Sequence, residues 1–166
     1  MSSAKRVAYA GLGTALSLIF VYLSSILPVN NLTLLAVAGF APAAVLILSG
    51  YANAWRSFVA ASLLCWMLVP QKQYVLMYII FFGWYGIAKC YLEFNLQMVL
   101  QWLSKLAVFN IAAWILYNAA SAFWTADISN KFPLLLIWFG ANLVFIAYDI
   151  AFGLAASYLQ KRIGKR

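Results

Sequence analysis

The chain lacks most of the side chains on which enzymes depend. It contains no histidine and only three acidic residues, Glu93, Asp127 and Asp149. A zinc site of histidines and cysteines, a Ser/His/Asp triad and a His-Glu-x-x-His helix are therefore excluded. Membrane enzymes that act on lipids or phosphates generally use histidines, or several acids with a metal ion. We therefore expect no enzyme activity, no metal site and no cofactor.

Charge of either sign is also scarce. Only 8% of the 166 residues are charged and 67% are hydrophobic. In soluble domains about 25% of the residues are charged and about 45–50% are apolar. A chain of this size cannot bury so much apolar surface in a core of its own, so lipid must surround much of it. The composition predicts an integral membrane protein.

Long apolar runs predict an all-α bundle of six transmembrane helices that forms a single domain over residues 1–166. The first run without charge covers residues 7–55, which is too long for one spanning helix of roughly 20 residues. It divides at the sequence LPVNN, because Pro28 disfavours helix before it and the paired asparagines favour a turn. The predicted helices cover residues 7–27, 32–50, 52–69, 73–93, 97–124 and 133–160.

The basic residues predict the orientation of the bundle. An even number of helices places both termini on one side of the membrane. That side holds nine of the basic residues: Lys5, Arg6, Arg56, Lys89, Lys105, Lys161, Arg162, Lys165 and Arg166. The other side holds two, Lys72 and Lys131. Because basic residues concentrate in the cytoplasm, both termini are predicted there, in a multi-pass protein of the cell membrane. Anionic membrane lipid is the expected partner of the basic tail. Nucleic acid is not an expected partner, because the sequence contains no exposed basic domain.

Four charged residues fall within the last three predicted helices. Lys89 and Glu93 are four residues apart near a predicted cytoplasmic helix end, which favours an interfacial ion pair with snorkelling. Asp149 lies roughly 18 Å from the cytoplasmic end, too deep for its short side chain to reach water. Buried acids in membranes usually have a partner, and Lys105 is the nearest base in depth. The sequence predicts a buried Lys105–Asp149 ion pair; substrate binding or proton coupling by Asp149 is the alternative.

The predicted outer halves of the helices are rich in aromatic and amide side chains. Indole and phenol groups there are typical of an interfacial aromatic belt, and buried amides can bond from helix to helix. The same groups could instead line a pocket for a small molecule. The candidate substrate-binding residues are Asn31, Tyr74, Tyr78, Asn110, Trp114, Asn118, Trp138 and Asn142.

Small residues form a stripe along the first helix. Ala4, Ala8, Gly11 and Ala15 follow one another at intervals of four, three and four, so they share one face. Such stripes let a second backbone approach closely in lipid. The approaching helix could belong to this chain or to another protein, which makes these four residues candidate docking residues.

The size, the six short helices, the basic N-terminus, the stripe from Ala4 to Ala15 and the LPVNN turn resemble the substrate-binding (S) components of energy-coupling factor transporters. The resemblance implies capture of a vitamin or another micronutrient from outside. It implies docking of the first helix on a transmembrane scaffold subunit, with two cytoplasmic ATPases driving release. Cobalt and nickel members use an N-terminal histidine, and this chain begins Met1-Ser2-Ser3. The resemblance therefore favours a small organic ligand.

Two other functions stay open. The chain could be a non-transporting scaffold or accessory protein in cell-envelope assembly, or a small lipid-handling membrane protein. A scaffold would have a solidly packed outer half, whereas capture requires a cavity of a few hundred cubic ångströms lined by Trp, Tyr and Asn, as ligand sites of that kind have.

Overall fold

A computed structural model describes residues 3–27, 30–123 and 134–163. Within these ranges the chain forms six helices joined by short connections. They are α1 Ser3–Ile26, α2 Asn31–Ser49, α3 Tyr51–Leu68, α4 Lys72–Asn95, α5 Met98–Phe123 and α6 Leu134–Ile163. The all-α prediction is confirmed for the described part of the chain.

Five of the six described helices, all except α3, are long and apolar enough to cross a membrane. The chain is therefore a multi-pass membrane protein. The first turns of α3 carry Asn53, Arg56 and Ser57, which lower its mean hydropathy. That α3 also spans the membrane, and that both termini are cytoplasmic, stay predictions.

The predicted helix ends and turns agree with the structure to different degrees. Helix α1 begins at Ser3 and includes Lys5 and Arg6 in its first two turns, earlier than predicted. Residues 28 and 29 of the predicted first turn lie outside the described residues, as do the predicted helix ends at 124 and 133. A single residue, Gly50, separates α2 from α3 with a φ of 89°, a conformation that glycine adopts without strain.

The first four helices share one core. Helix α2 packs against α1, α3, α4 and α6. The core lies in the half of the bundle away from the N-terminus, and eight of its members are completely buried: Val21, Leu35, Ala38, Ala61, Cys65, Val69, Val75 and Tyr78. Gly39 allows α2 and α4 to come close, since a Cβ there would collide with the backbone of Phe82. This part of the molecule is filled by side chains.

Helix α4 joins this core to α5 and α6. A wider, π-helical turn at Tyr78–Phe82 separates two packing surfaces of α4. Before and at its start, Val75 and Tyr78 belong to the core of the first four helices. Near its end and beyond it, Phe81 and Tyr85 pack with aromatic residues of α5 and α6. Turns of this kind often accompany functional sites, and charged residues follow this one.

Candidate functional site

Helix α1 packs into the bundle through small and polar residues. Gly13, Thr14 and Ser17 are buried, and the Ser17 hydroxyl donates a hydrogen bond of 3.0 Å to the carbonyl of Ala38 on α2. A Cβ added at Gly13 would collide with Val45 and Ser57. This face of α1 is therefore occupied by α2 and α3.

The predicted stripe lies on a different face of α1. All four members, Ala4, Ala8, Gly11 and Ala15, are exposed. A Cβ added at Gly11 would meet no heavy atom within 4 Å. Within the described part of the chain, no other helix covers the stripe at Gly11. Its small side chains face the surroundings of the bundle.

The structure brings Lys105 and Asp149 together, with 3.0 Å between Nζ and Oδ2. Two further charged residues join them. The Lys89 ammonium lies 2.5 Å from Asp149 Oδ1 and also donates to the Asp149 backbone carbonyl at 3.0 Å. Glu93 Oε1 accepts from Lys105 at 2.5 Å and from Lys89 at 2.9 Å. We call these four residues the ion cluster.

The interfacial interpretation of Lys89 is wrong. Lys89 is only 3% exposed, and so is Lys105. In the Lys89–Glu93 pair only Glu93 is exposed, with 41% of its side chain accessible. Gly153 of α6 borders the lysine, since a Cβ there would be in ordinary van der Waals contact with Lys89 Nζ at 3.5 Å and Cε at 3.7 Å. Tyr85 completes the site by donating a hydrogen bond of 2.6 Å to Asp149 Oδ1.

A periodicity in the sequence could have revealed the larger cluster. Tyr85, Lys89 and Glu93 recur at intervals of four and so share one helical face. The two lysines and two carboxylates balance in charge. A buried charge costs several kcal/mol unless it is paired and hydrogen-bonded, and here both lysines bond both acids. The cluster therefore holds α4, α5 and α6 together at low cost.

Three candidate ligand residues bond to one another between α5 and α6. The Asn110 amide donates to Asn142 Oδ1 at 3.1 Å, and the Trp138 indole donates to Asn110 Oδ1 at 2.7 Å. Trp138 is 48% exposed. One helical turn further along α5, Trp114 is exposed and its carbonyl accepts from the Asn118 amide at 2.7 Å. These residues form an interhelical network and a neighbouring exposed surface.

The remaining candidate ligand residues lie elsewhere. Asn31 and Tyr74 join the starts of α2 and α4 through a hydrogen bond of 2.5 Å. Tyr78 is completely buried in the core of the first four helices. The eight candidates thus occupy three places, and the structure does not bring them into one pocket. Depth along a helix selected them, and depth does not specify the direction in which a side chain points.

Two cavities lie at the opposite end of the bundle, where no sequence pattern predicts them. One, of about 410 Å³, is lined by residues that include Tyr51, Cys90, Glu93 and Gln160. The other, of about 540 Å³, is lined by residues that include Arg6, Asn53 and Arg56. The first lies beside the ion cluster, because Glu93 of the cluster is one of its lining residues. The second is basic, and we call it the basic cavity.

Together these features define an all-helical, multi-pass membrane protein with a neutral buried ion cluster. Comparison of the chain with protein-family models, with curated proteins and with solved structures finds no match. A function must therefore be argued from the geometry.

Proposed function

We propose that the chain is the substrate-capture subunit of a micronutrient uptake transporter of the energy-coupling factor type. It would bind a small organic molecule from the side away from its termini. It would dock through α1 on a transmembrane scaffold subunit, and cytoplasmic ATPases would supply the energy for release.

The exposed stripe on α1 is the observation that supports this proposal. Helices in lipid associate through close packing of backbones, for which alanine and glycine are suited. Helix α1 has two small faces, and the one centred on Gly13 and Ser17 is used inside the chain. The face with Ala8, Gly11 and Ala15 is left exposed. A second helix could approach it without any rearrangement of the bundle.

The ligand would contact α5 and α6 on the predicted outer side. Trp114 and Trp138 offer exposed aromatic surface there, and Asn110 and Asn142 offer amides at the same helix pair. A ligand with hydrogen-bonding groups and a flat apolar part would suit this combination of side chains.

Replacement of Gly11 by Leu tests docking. The leucine has open space in the isolated chain, so the fold should persist, but it would hold a partner helix away from α1. We expect the scaffold and ATPase subunits that co-purify with the tagged wild-type chain in mild detergent to fall by about ten-fold or more. Quantitative mass spectrometry of the purified complexes measures this loss.

Gly140→Leu is the matched control for Gly11→Leu. Gly140 is also an exposed helical glycine whose added Cβ would meet nothing within 4 Å, but it lies on α6. It should leave the complex intact. Equal losses in both variants, or a lowered unfolding temperature of the isolated Gly11→Leu chain, would exclude α1 as the docking surface.

The packed core of the first four helices favours a second candidate, a non-transporting scaffold or accessory protein of envelope assembly. Val21, Leu35, Cys65 and Tyr78 are completely buried in the half where a ligand would enter. The two functions differ in small-molecule content. Chromatography and mass spectrometry of the purified chain should recover about one organic molecule per chain from a capture subunit, whereas a scaffold would retain protein partners alone.

A further inference from the structure

Three parts of the chain border the basic cavity. The first turns of α1 contribute Ser3, Arg6 and Val7, the end of α2 contributes Ser49, and the start of α3 contributes Asn53 and Arg56. A Cβ added at Gly50, in the turn between α2 and α3, would meet nothing within 4 Å. The cavity therefore stands open above this turn.

Arg56 is held in position at the cavity. Its Nη1 donates a hydrogen bond of 3.1 Å to Asn53 Oδ1. Asn53 is itself only 6% exposed and is fixed by a hydrogen bond of 3.0 Å from its Nδ2 to the Ser49 carbonyl. The bond to Asn53 uses one of the five N–H donors of the guanidinium group. The guanidinium group, which is exposed, therefore keeps four donors for a ligand.

The electrostatics of the basic cavity favour an anion. Among the described residues that line it, Arg6 and Arg56 are charged and none is acidic. The nearest acid at this end, Glu93, lines the neighbouring cavity and is bound by two lysines. A guanidinium group presents paired N–H donors that match the oxygens of a phosphate. A phosphate group would thus meet two arginines without a competing carboxylate.

We propose that the basic cavity binds the phosphate of an anionic phospholipid headgroup. The cavity lies at the start of α1 and the end of α2, two helices long and apolar enough to cross a membrane, and basic pockets between such helices bind anionic headgroups. Val7, which is 65% exposed, lines the cavity, and exposed apolar residues outside the docking stripe, Leu12, Leu16 and Ile19, lie further along α1. A lipid would place its acyl chains along this surface, whereas a soluble phosphate would gain only the arginine contacts.

The full chain in mixed micelles of phosphatidylglycerol and phosphatidylcholine provides the test. Native mass spectrometry of the released protein counts the lipids retained by each variant. The wild-type chain should retain phosphatidylglycerol in preference to phosphatidylcholine. Each of Arg6→Gln and Arg56→Gln should weaken that retention by about five-fold, because each removes one guanidinium group that would contact the phosphate directly.

Two matched variants separate a built site from general attraction. Arg56→Lys keeps the charge but loses the paired donors, so it should also reduce retention of phosphatidylglycerol. Arg162→Gln removes an exposed charge of α6 at the same end of the bundle and should have no such effect. A loss with Arg162→Gln as large as with Arg56→Gln would overturn the proposal, as would unchanged retention in Arg56→Lys.

Soluble phosphate distinguishes the source of the ligand. Glycerol phosphate added to the same micelles should not displace phosphatidylglycerol, because it lacks the acyl chains that pack along α1. Displacement at concentrations comparable to those of the lipid would assign the cavity to a soluble phosphate compound and contradict the lipid proposal.

Discussion

Asp149 shows how a single residue is made compatible with a membrane interior. A lone aspartate near the centre of a spanning helix costs roughly 2.5–3.5 kcal/mol on insertion scales. Here its carboxylate accepts from Lys89, Lys105 and the Tyr85 hydroxyl. Each lysine in turn bonds Glu93. The stability of the cluster therefore depends on all four charges being present.

Replacement of Asp149 by Asn should destabilise the protein by about 3–5 kcal/mol, because it leaves two buried lysines with one carboxylate. The double variant Asp149→Asn/Lys105→Met restores neutrality and should recover part of that loss. Denaturant-induced unfolding in detergent measures both free energies. Lys161→Met, at an exposed position of α6, serves as a control and should change little.

The opposite result for the double variant would also be informative. If its loss equals the sum of the losses of the two single variants, Lys105 and Asp149 act separately. Asp149 would then be the better candidate for a functional acid.

At the scale of the helices, some glycines lie where two helices touch and others lie on lipid-facing surfaces. Gly39 of α2 lies against the backbone of Phe82 at the wider turn of α4, whereas Gly140 of α6 faces open space. The same residue type therefore has opposite roles. Close approach of α2 and α4 depends on the missing side chain at Gly39.

Gly39→Ala should destabilise the protein by about 1–3 kcal/mol, since the added methyl group overpacks the crossing of α2 and α4. Gly140→Ala should be neutral or stabilising by up to about 1 kcal/mol, because alanine is the better helix former. Thermal unfolding of the two purified variants compares them directly. A destabilisation that is equal at both positions would show that the crossing is less tight than the structure indicates.

The helices themselves were readable from the sequence, and their contacts were not. Apolar runs, Pro28 and the basic tail predict six helices because length and hydropathy are local properties. The interfacial prediction for Lys89 is wrong because a lysine at that depth can also reach the membrane surface by snorkelling. Only the position of α6 shows that the Lys89 side chain points into the bundle. The candidate ligand residues separated into three places for the same reason. Tyr78 points into the core, a direction that depends on how neighbouring helices pack.

At the scale of the whole molecule, the ends of the bundle differ in charge. In the described residues the end with the N-terminus holds Lys5, Arg6, Arg56, Lys161 and Arg162, and the opposite end holds Lys72. This distribution is the basis for placing the termini in the cytoplasm.

Cysteine labelling tests this topology in a background without Cys65 and Cys90. A cysteine at Ser129, in the segment between α5 and α6, should react with an impermeant maleimide on intact cells. A cysteine at Lys161 should react only after permeabilisation. The reverse pattern would invert the orientation and would place the basic cavity in the outer leaflet.

The balance of charge in the ion cluster has a consequence for any movement of the bundle. Displacing one net elementary charge through a membrane potential of 100 mV involves about 2.3 kcal/mol of electrical work. Lys89, Lys105, Glu93 and Asp149 sum to zero and are joined by direct ion pairs. A tilt or shift that carries them as a unit therefore does almost no work against the potential. The ion cluster itself is therefore electrically silent, and it should add almost no voltage dependence to such a motion.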